Sequence, residues 1–124
     1  MAGVDHSPGF LKLAEAARAA VQEVEVAEAR RRTEAGATLV DVREDLEWEA
    51  GHARGAVHMG KGVIERDIEK AIPDPDAEII LYCGGGYRSA LAAKSLQEMG
   101  YRNVKSMAGG WRAWQEAGGE IEGP

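Results

Sequence analysis

The chain has 124 residues, the size of one domain with a single core. Its net charge is −6, with 44% hydrophobic and 29% charged residues, as in an ordinary globular protein. So acidic a surface repels phosphate backbones and anionic lipids, which argues against nucleic-acid and membrane-surface binding. One cysteine, Cys83, excludes an internal disulfide, a CxxC redox pair and a cysteine-rich zinc site. His52 and His58 add too little for a metal centre, so neither metal nor cofactor is expected. No apolar run approaches the ~18 residues needed to span a membrane, and no signal-peptide pattern opens the chain. The expected location is the cytoplasm.

In chain order, residues 8–21 place Phe10, Leu13, Ala14, Ala17 and Val21 at helical spacing behind Pro8, which predicts an amphipathic helix. A short extended stretch near 23–25 leads into a second predicted helix over 26–34, closed by Gly36, with Arg30, Arg31 and Arg32 on a solvated face. Residues 38–42 (TLVDV) are β-branched and apolar and read as a buried strand, and 57–59 as another. A helical period over 61–72 carries Val63, Ile64, Ile68 and Ile72 and stops at Pro73 and Pro75. Residues 79–82 (IILY) form the strongest strand signal, continuously apolar as in a parallel sheet covered on both faces. A helix over 89–99, with Leu91, Ser95, Leu96 and Met99 on one side, a strand over 104–107 and a closing helix over 111–117 complete the pattern. Short strands alternating with helices predict an α/β fold with a mainly parallel sheet.

The residues that point to chemistry stand between IILY and the helix after it: Cys83, Gly84, Gly85, Gly86, Tyr87, Arg88 and Ser89. Such a loop lies at the carboxyl end of a parallel strand, where open α/β sheets bind ligands. Consecutive glycines let backbone N–H groups converge on one centre, and the following helix adds its own free N–H groups. The cradle suits an anion, and the Cys83 sulfur is placed to be that anion, with Arg88 supplying fixed charge. Lowering a thiol's pKa raises its thiolate fraction but weakens its nucleophilicity, so the larger benefit is electrostatic. Charge is distributed to match: residues 82–114 carry +4 against −7 over residues 1–81 and −3 over 115–124.

Four segments together resemble the single-domain rhodanese-like sulfurtransferases. They are Leu39-Val40-Asp41-Val42-Arg43-Glu44, Gly51-His52-Ala53-Arg54-Gly55-Ala56, the loop from Cys83 to Arg88 with Ser89-Ala90, and Gly109-Gly110-Trp111. The resemblance implies a rhodanese-like domain over 22–120, with 1–21 as an N-terminal helical extension and 121–124 as a C-terminal tail. It implies a five-stranded, mainly parallel sheet flanked by helices. It also implies that Cys83 takes a sulfane sulfur as a persulfide, from thiosulfate or another persulfide or sulfane donor. A thiol or cyanide acceptor then removes it, with a sulfur-relay protein as a further candidate partner. Cys83 and Arg88 are the implied catalytic residues, and Gly84, Gly85, Gly86, Tyr87 and Ser89 the implied substrate-binding ones. Thiosulfate users of this family often carry basic residues after the cysteine; Gly84 and Gly85 are neutral, so weak thiosulfate turnover is expected.

Two other functions compete. A cysteine phosphatase places five residues between its cysteine and arginine, whereas this loop has four, and no nearby aspartate offers a general acid. A non-enzymatic sulfur carrier would keep the same cysteine. Structural roles are expected for His52, pinning a turn through a backbone hydrogen bond, and for an Asp41–Arg43 pair near the sheet edge. Trp48, Trp111 and Trp114 are expected in the core or in a lid.

Overall fold

A computed structural model describes residues 6–124. Helix α1 (Pro8–Ala20) precedes strand β1 (Gln22–Val24), helix α2 (Val26–Glu34) and strand β2 (Thr38–Asp41). Helix α3 (Asp45–Glu49), the two-residue strands β3 (His52–Ala53) and β4 (Val57–His58), and helix α4 (Ile64–Ala71) follow. The second half runs β5 (Ile79–Tyr82), α5 (Tyr87–Glu98), β6 (Val104–Met107), α6 (Gly110–Glu116) and β7 (Ile121–Glu122). Five strands form one sheet in the order β1-β6-β5-β2-β4, every pair parallel, so the expected mainly parallel sheet is parallel throughout.

Alternation along the strands divides the core. Ile79 and Leu81 of β5 and Val40 of β2 face α4 and α5, packing on Ile64, Ile68, Ala92, Ala93 and Leu96. Ile80 and Tyr82 point the other way with Leu39, onto Ala29 of α2 and Trp114 of α6. Because β5 sits in the middle with a layer on each side, all four of its residues are buried.

Several elements depart from the sequence reading. The helix expected over 61–72 begins at Ile64, because residues 61–63 form a turn in which Lys61 donates to the Val42 carbonyl. Helix α5 begins two residues early, at Tyr87, so Arg88 stands in its first turn. Its buried side is Ser89, Ala90, Ala92, Ala93 and Leu96, because α5 is covered by both the sheet and α1, whereas Leu91, Ser95 and Met99 are half-buried. Ala14 and Ala17 are the buried positions of α1, and their small size lets the helices approach closely; Leu13 instead lies outside, 62% exposed.

Arg30 and Arg32 do not share a solvated face. Arg30 lies over the Trp114 ring and Arg32 pairs with Glu28 and Glu78, which leaves only Arg31 exposed of the three. Helix α3 and strands β3 and β7 are too short to leave a readable period. Strand β7 pairs antiparallel with β3, so part of the expected tail over 121–124 is strand. Of the expected N-terminal extension, residues 1–5 lie outside the described residues.

Candidate active site

Strand β5 ends directly at Cys83, and the loop that follows must reverse direction to start α5. Gly86 makes the turn with φ +107, a conformation that disfavours other residues, and a Cβ there would press on the Gly109 backbone. The turn brings two backbone donors onto the sulfur: the Gly86 N–H at 3.1 Å and the Ser89 N–H at 3.3 Å. The Ser89 hydroxyl lies 3.5 Å from Sγ and shares a hydrogen bond of 2.8 Å with the Ser106 hydroxyl on β6. Cys83, Ser89 and Ser106 are all buried. Of the N–H groups expected to converge from the glycine run, that of Gly86 reaches the sulfur. Ser89 supplies the second donor, from the first turn of α5.

The loop is held from behind by α6. The Trp111 N–H donates to the Cys83 carbonyl at 2.7 Å and the Arg112 N–H to the Gly84 carbonyl at 3.3 Å. Gly110 makes this approach possible: its φ is +56, and a Cβ would fall on the Cys83 carbonyl. The start of α6 thus fixes the carbonyls of the cysteine loop while the start of α5 addresses the sulfur.

Arg88 has a partner that local sequence did not reveal. Its guanidinium grips Glu47 of α3 with two hydrogen bonds, Nη1 to Oε1 at 2.8 Å and Nη2 to Oε2 at 3.1 Å. Glu47 also accepts the Glu44 N–H, tying the start of α3 to the same carboxylate. The Arg88 bond holds the Glu47 carboxyl below its usual range against the opposing effect of burial, and Glu47 in turn raises the Arg88 pKa. Arg88 lines the same cavity as Cys83, with its Nη2 close over Gly84. Helix α3 has five residues, which is why its carboxylate was missed as a site component. The only local clue was an acidic residue three positions after Glu44.

Beneath the loop, Asp41 and Arg43 form the expected buried pair, with Arg43 Nη2 to Asp41 Oδ2 at 2.8 Å, and Arg43 also donates to the Gly51 carbonyl. The Arg43 guanidinium carbon lies 4.8 Å from the centroid of the Trp111 ring. Burial, with Asp41 beside it, pushes the Tyr82 phenol well above its usual value, and its oxygen accepts the Ala53 N–H. His52 Nδ1 is 3.0 Å from the Trp48 carbonyl oxygen, the structural role expected for it. Trp114 is buried, Trp111 is half-buried over Arg43, and Trp48 stacks between His52 and His58.

Cys83, Gly84, Gly85, Tyr87 and Arg88 open onto a cavity of about 820 Å³, whose further walls come from α1, α3 and α6. A sulfur held by backbone N–H groups at the floor of a cleft that an arginine also lines can carry negative charge.

Residues 25–117 match the family model described as a rhodanese-like domain. Thiosulfate sulfurtransferase GlpE of Haemophilus influenzae is 39% identical over 82 residues, which cover 66% of this chain and 76% of that protein. The solution structure of the polysulfide-sulfur transferase homodimer of Wolinella succinogenes superposes with a TM-score of 0.81 at 28% identity, covering 94% of this chain and 88% of that one. A Rhodopseudomonas palustris protein of unknown function, described as a possible tyrosine phosphatase, superposes with a TM-score of 0.80 at 32% identity, covering 98% of this chain and 100% of that one.

Proposed function

Given that this chain belongs to the rhodanese-like domain family and is a sulfurtransferase of that type, we propose that Cys83 is the atom carrier of the transfer and Arg88 its charged partner. The observation that carries this is the Cys83 sulfur receiving the Gly86 and Ser89 N–H groups at the floor of the cavity. In the first half-reaction the Cys83 thiolate attacks the sulfane sulfur of the donor. A bond forms between Sγ and that sulfur while the donor's own bond to it breaks, and the leaving group departs with the electron pair. With thiosulfate the products are a Cys83 persulfide and sulfite. In the second, a cyanide or thiolate acceptor attacks the outer sulfur, the persulfide bond breaks, and the pair returns to Sγ. Negative charge sits on sulfur at both ends of the cycle, and the two N–H groups face it without reorganisation.

Gly84, Gly85, Gly86, Tyr87 and Ser89 form the binding loop in this reading, with 22–120 as the transferring domain and 1–21 as an addition to it. Because the chain has no second cysteine, the persulfide needs an external acceptor, a small thiol, cyanide or a sulfur-relay protein. A single cysteine kept as a thiol suits the reducing cytoplasm. No helix among the described residues is long and apolar enough to cross a membrane. The phosphatase alternative would need a free acid in the cleft, but the lining carboxylates among the described residues, Glu23 and Glu47, are bound to Arg18 and Arg88.

The test is intact-protein mass spectrometry after incubation with thiosulfate, alongside cyanide-dependent thiocyanate formation. Wild type should gain one sulfur and turn over. Cys83→Ser should do neither while keeping its circular dichroism spectrum, since a hydroxyl fits the space but forms no persulfide. Thiocyanate formation by the serine variant near the wild-type rate would remove Cys83 as nucleophile, whereas sulfur loading of wild type without turnover would make the protein a carrier.

A further inference from the structure

The cavity above Cys83 is far larger than the chemistry at its floor requires. A thiosulfate ion occupies little more than the space around Sγ, whereas about 820 Å³ is the size of sites that enclose whole organic ligands. Much of the excess is bounded by residues with no task in the sulfur exchange itself. Phe10 of α1 meets the Tyr87 ring edge-on with centroids 6.1 Å apart, and the Trp111 ring lines the same space from α6. These rings form apolar walls. Arg112 lines the cavity from the first turn of α6, and among the described residues no carboxylate pairs with its exposed side chain. The other two arginines of the cleft, Arg18 and Arg88, are already paired with Glu23 and Glu47. Among the described residues the lining therefore carries one uncompensated positive charge beside apolar rings.

We propose that α1 and the start of α6 form a second subsite of this cleft, which holds the organic, carboxylate-bearing part of a low-molecular-weight persulfide donor. The proposal rests on the sulfurtransferase reading and extends it to the class of donor. The donor's carbon chain lies along Phe10, Tyr87 and Trp111, and its carboxylate meets Arg112. The Cys83 thiolate attacks the outer sulfur of R–S–SH. The new bond joins Sγ to that sulfur, the donor's S–S bond breaks, R–S⁻ leaves with the electron pair, and the proton stays on the transferred sulfur. Charge and electrons balance without any added oxidant. Phe10 lies outside the matched domain of residues 25–117, so α1 adds a donor-recognising wall to a transfer site that the domain supplies.

The experiment compares kcat/KM for glutathione persulfide and for thiosulfate in wild type, Arg112→Gln and Phe10→Ala, with thermal midpoints for all three. The Arg112 side chain is exposed, so its variant should fold even if loss of Phe10 loosens α1. The ratio of persulfide to thiosulfate efficiency should fall roughly ten- to a hundredfold in Arg112→Gln, chiefly through KM for the persulfide, as for loss of one charge-assisted contact. It should also fall in Phe10→Ala. A ratio unchanged in Arg112→Gln, with both donors still active, would overturn the proposal alone. Absence of Cys83 sulfuration from either donor in wild type would overturn the sulfurtransferase reading and this proposal with it.

Discussion

Arg88 has two candidate roles, because one guanidinium both grips Glu47 and lines the cavity that holds Cys83. If its charge acts on the reacting sulfur, Arg88→Ala should lower kcat/KM by about 30- to 900-fold, equivalent to about 2–4 kcal/mol, as for loss of one preorganised donor. Glu47→Gln should cost far less, because the guanidinium stays in place. If Arg88 served only to pin the loop to α3, the two substitutions would lower activity equally, since either one breaks the same pair. Steady-state kinetics on both variants and on the double variant separate these outcomes. A second prediction concerns Ser106, whose hydroxyl engages that of Ser89 behind the sulfur. Ser106→Ala removes one buried hydrogen bond from this relay and should lower kcat by about 2- to 10-fold, the range expected from a net hydrogen-bond contribution. Single-turnover sulfur loading of Cys83 would show whether the loss falls on the first half-reaction.

Among the elements, α6 does for the loop carbonyls what α5 does for the sulfur. Its seven residues start at Gly110, and the next two N–H groups, of Trp111 and Arg112, donate to the Cys83 and Gly84 carbonyls. Gly110→Ala should therefore damage both fold and function. The positive φ alone costs about 1–2 kcal/mol with a side chain present, and the Cβ would meet the Cys83 carbonyl. We expect a lowered denaturation midpoint together with reduced activity, measured by chemical denaturation and the thiocyanate assay on the same preparation. Gly118→Ala is the control: its φ of +75 carries a similar backbone cost, but nothing crowds the new Cβ. It should lower stability while sparing kcat. Equal losses of activity in the two variants would show that the loop does not depend on close approach by α6.

At the scale of the whole molecule, ion pairs tie distant parts of the chain together, and their carboxylates set the response to acid. Glu78 binds Lys105 at 2.7 Å and Arg32 at 2.8 Å, joining α2 to the entrance of β5 and to β6. Burial alone would raise its pKa, but the two cations bring it below the ordinary value, and Arg88 does the same for Glu47. A carboxyl depressed in the native state stabilises the fold fully above its unfolded value of about 4.3 and loses that contribution as pH falls through the lower native value. Glu78→Gln should cost about 1–2 kcal/mol at neutral pH, discounted for its partial exposure, and progressively less towards pH 3. Denaturant midpoints of the two proteins at neutral pH and near pH 3 should converge; a constant gap would mean that Glu78 acts through packing.

The local signals in the amino-acid sequence determined the alternation of strands and helices, the buried central strand and the position of the cysteine loop. They did so because IILY, the glycine run and the helical periods are contiguous patterns that need no distant partner to be read. The site's outer parts depend on contacts that no local period records. Glu47 reaches Arg88 across 41 positions, and Ser106 reaches Ser89 across 17, and neither residue stands out within its own segment. Strands β3 and β7 exist only as each other's partners, His52 opposite Glu122 and Ala53 opposite Ile121. The cavity wall is the clearest case. Periodicity alone identified α1 as a helix, but only its packing on α5 brought Phe10 to Tyr87 above the sulfur. Tertiary structure decided that placement because it depends on which faces bury against each other, and the small residues Ala14 and Ala17 are what let the two helices meet.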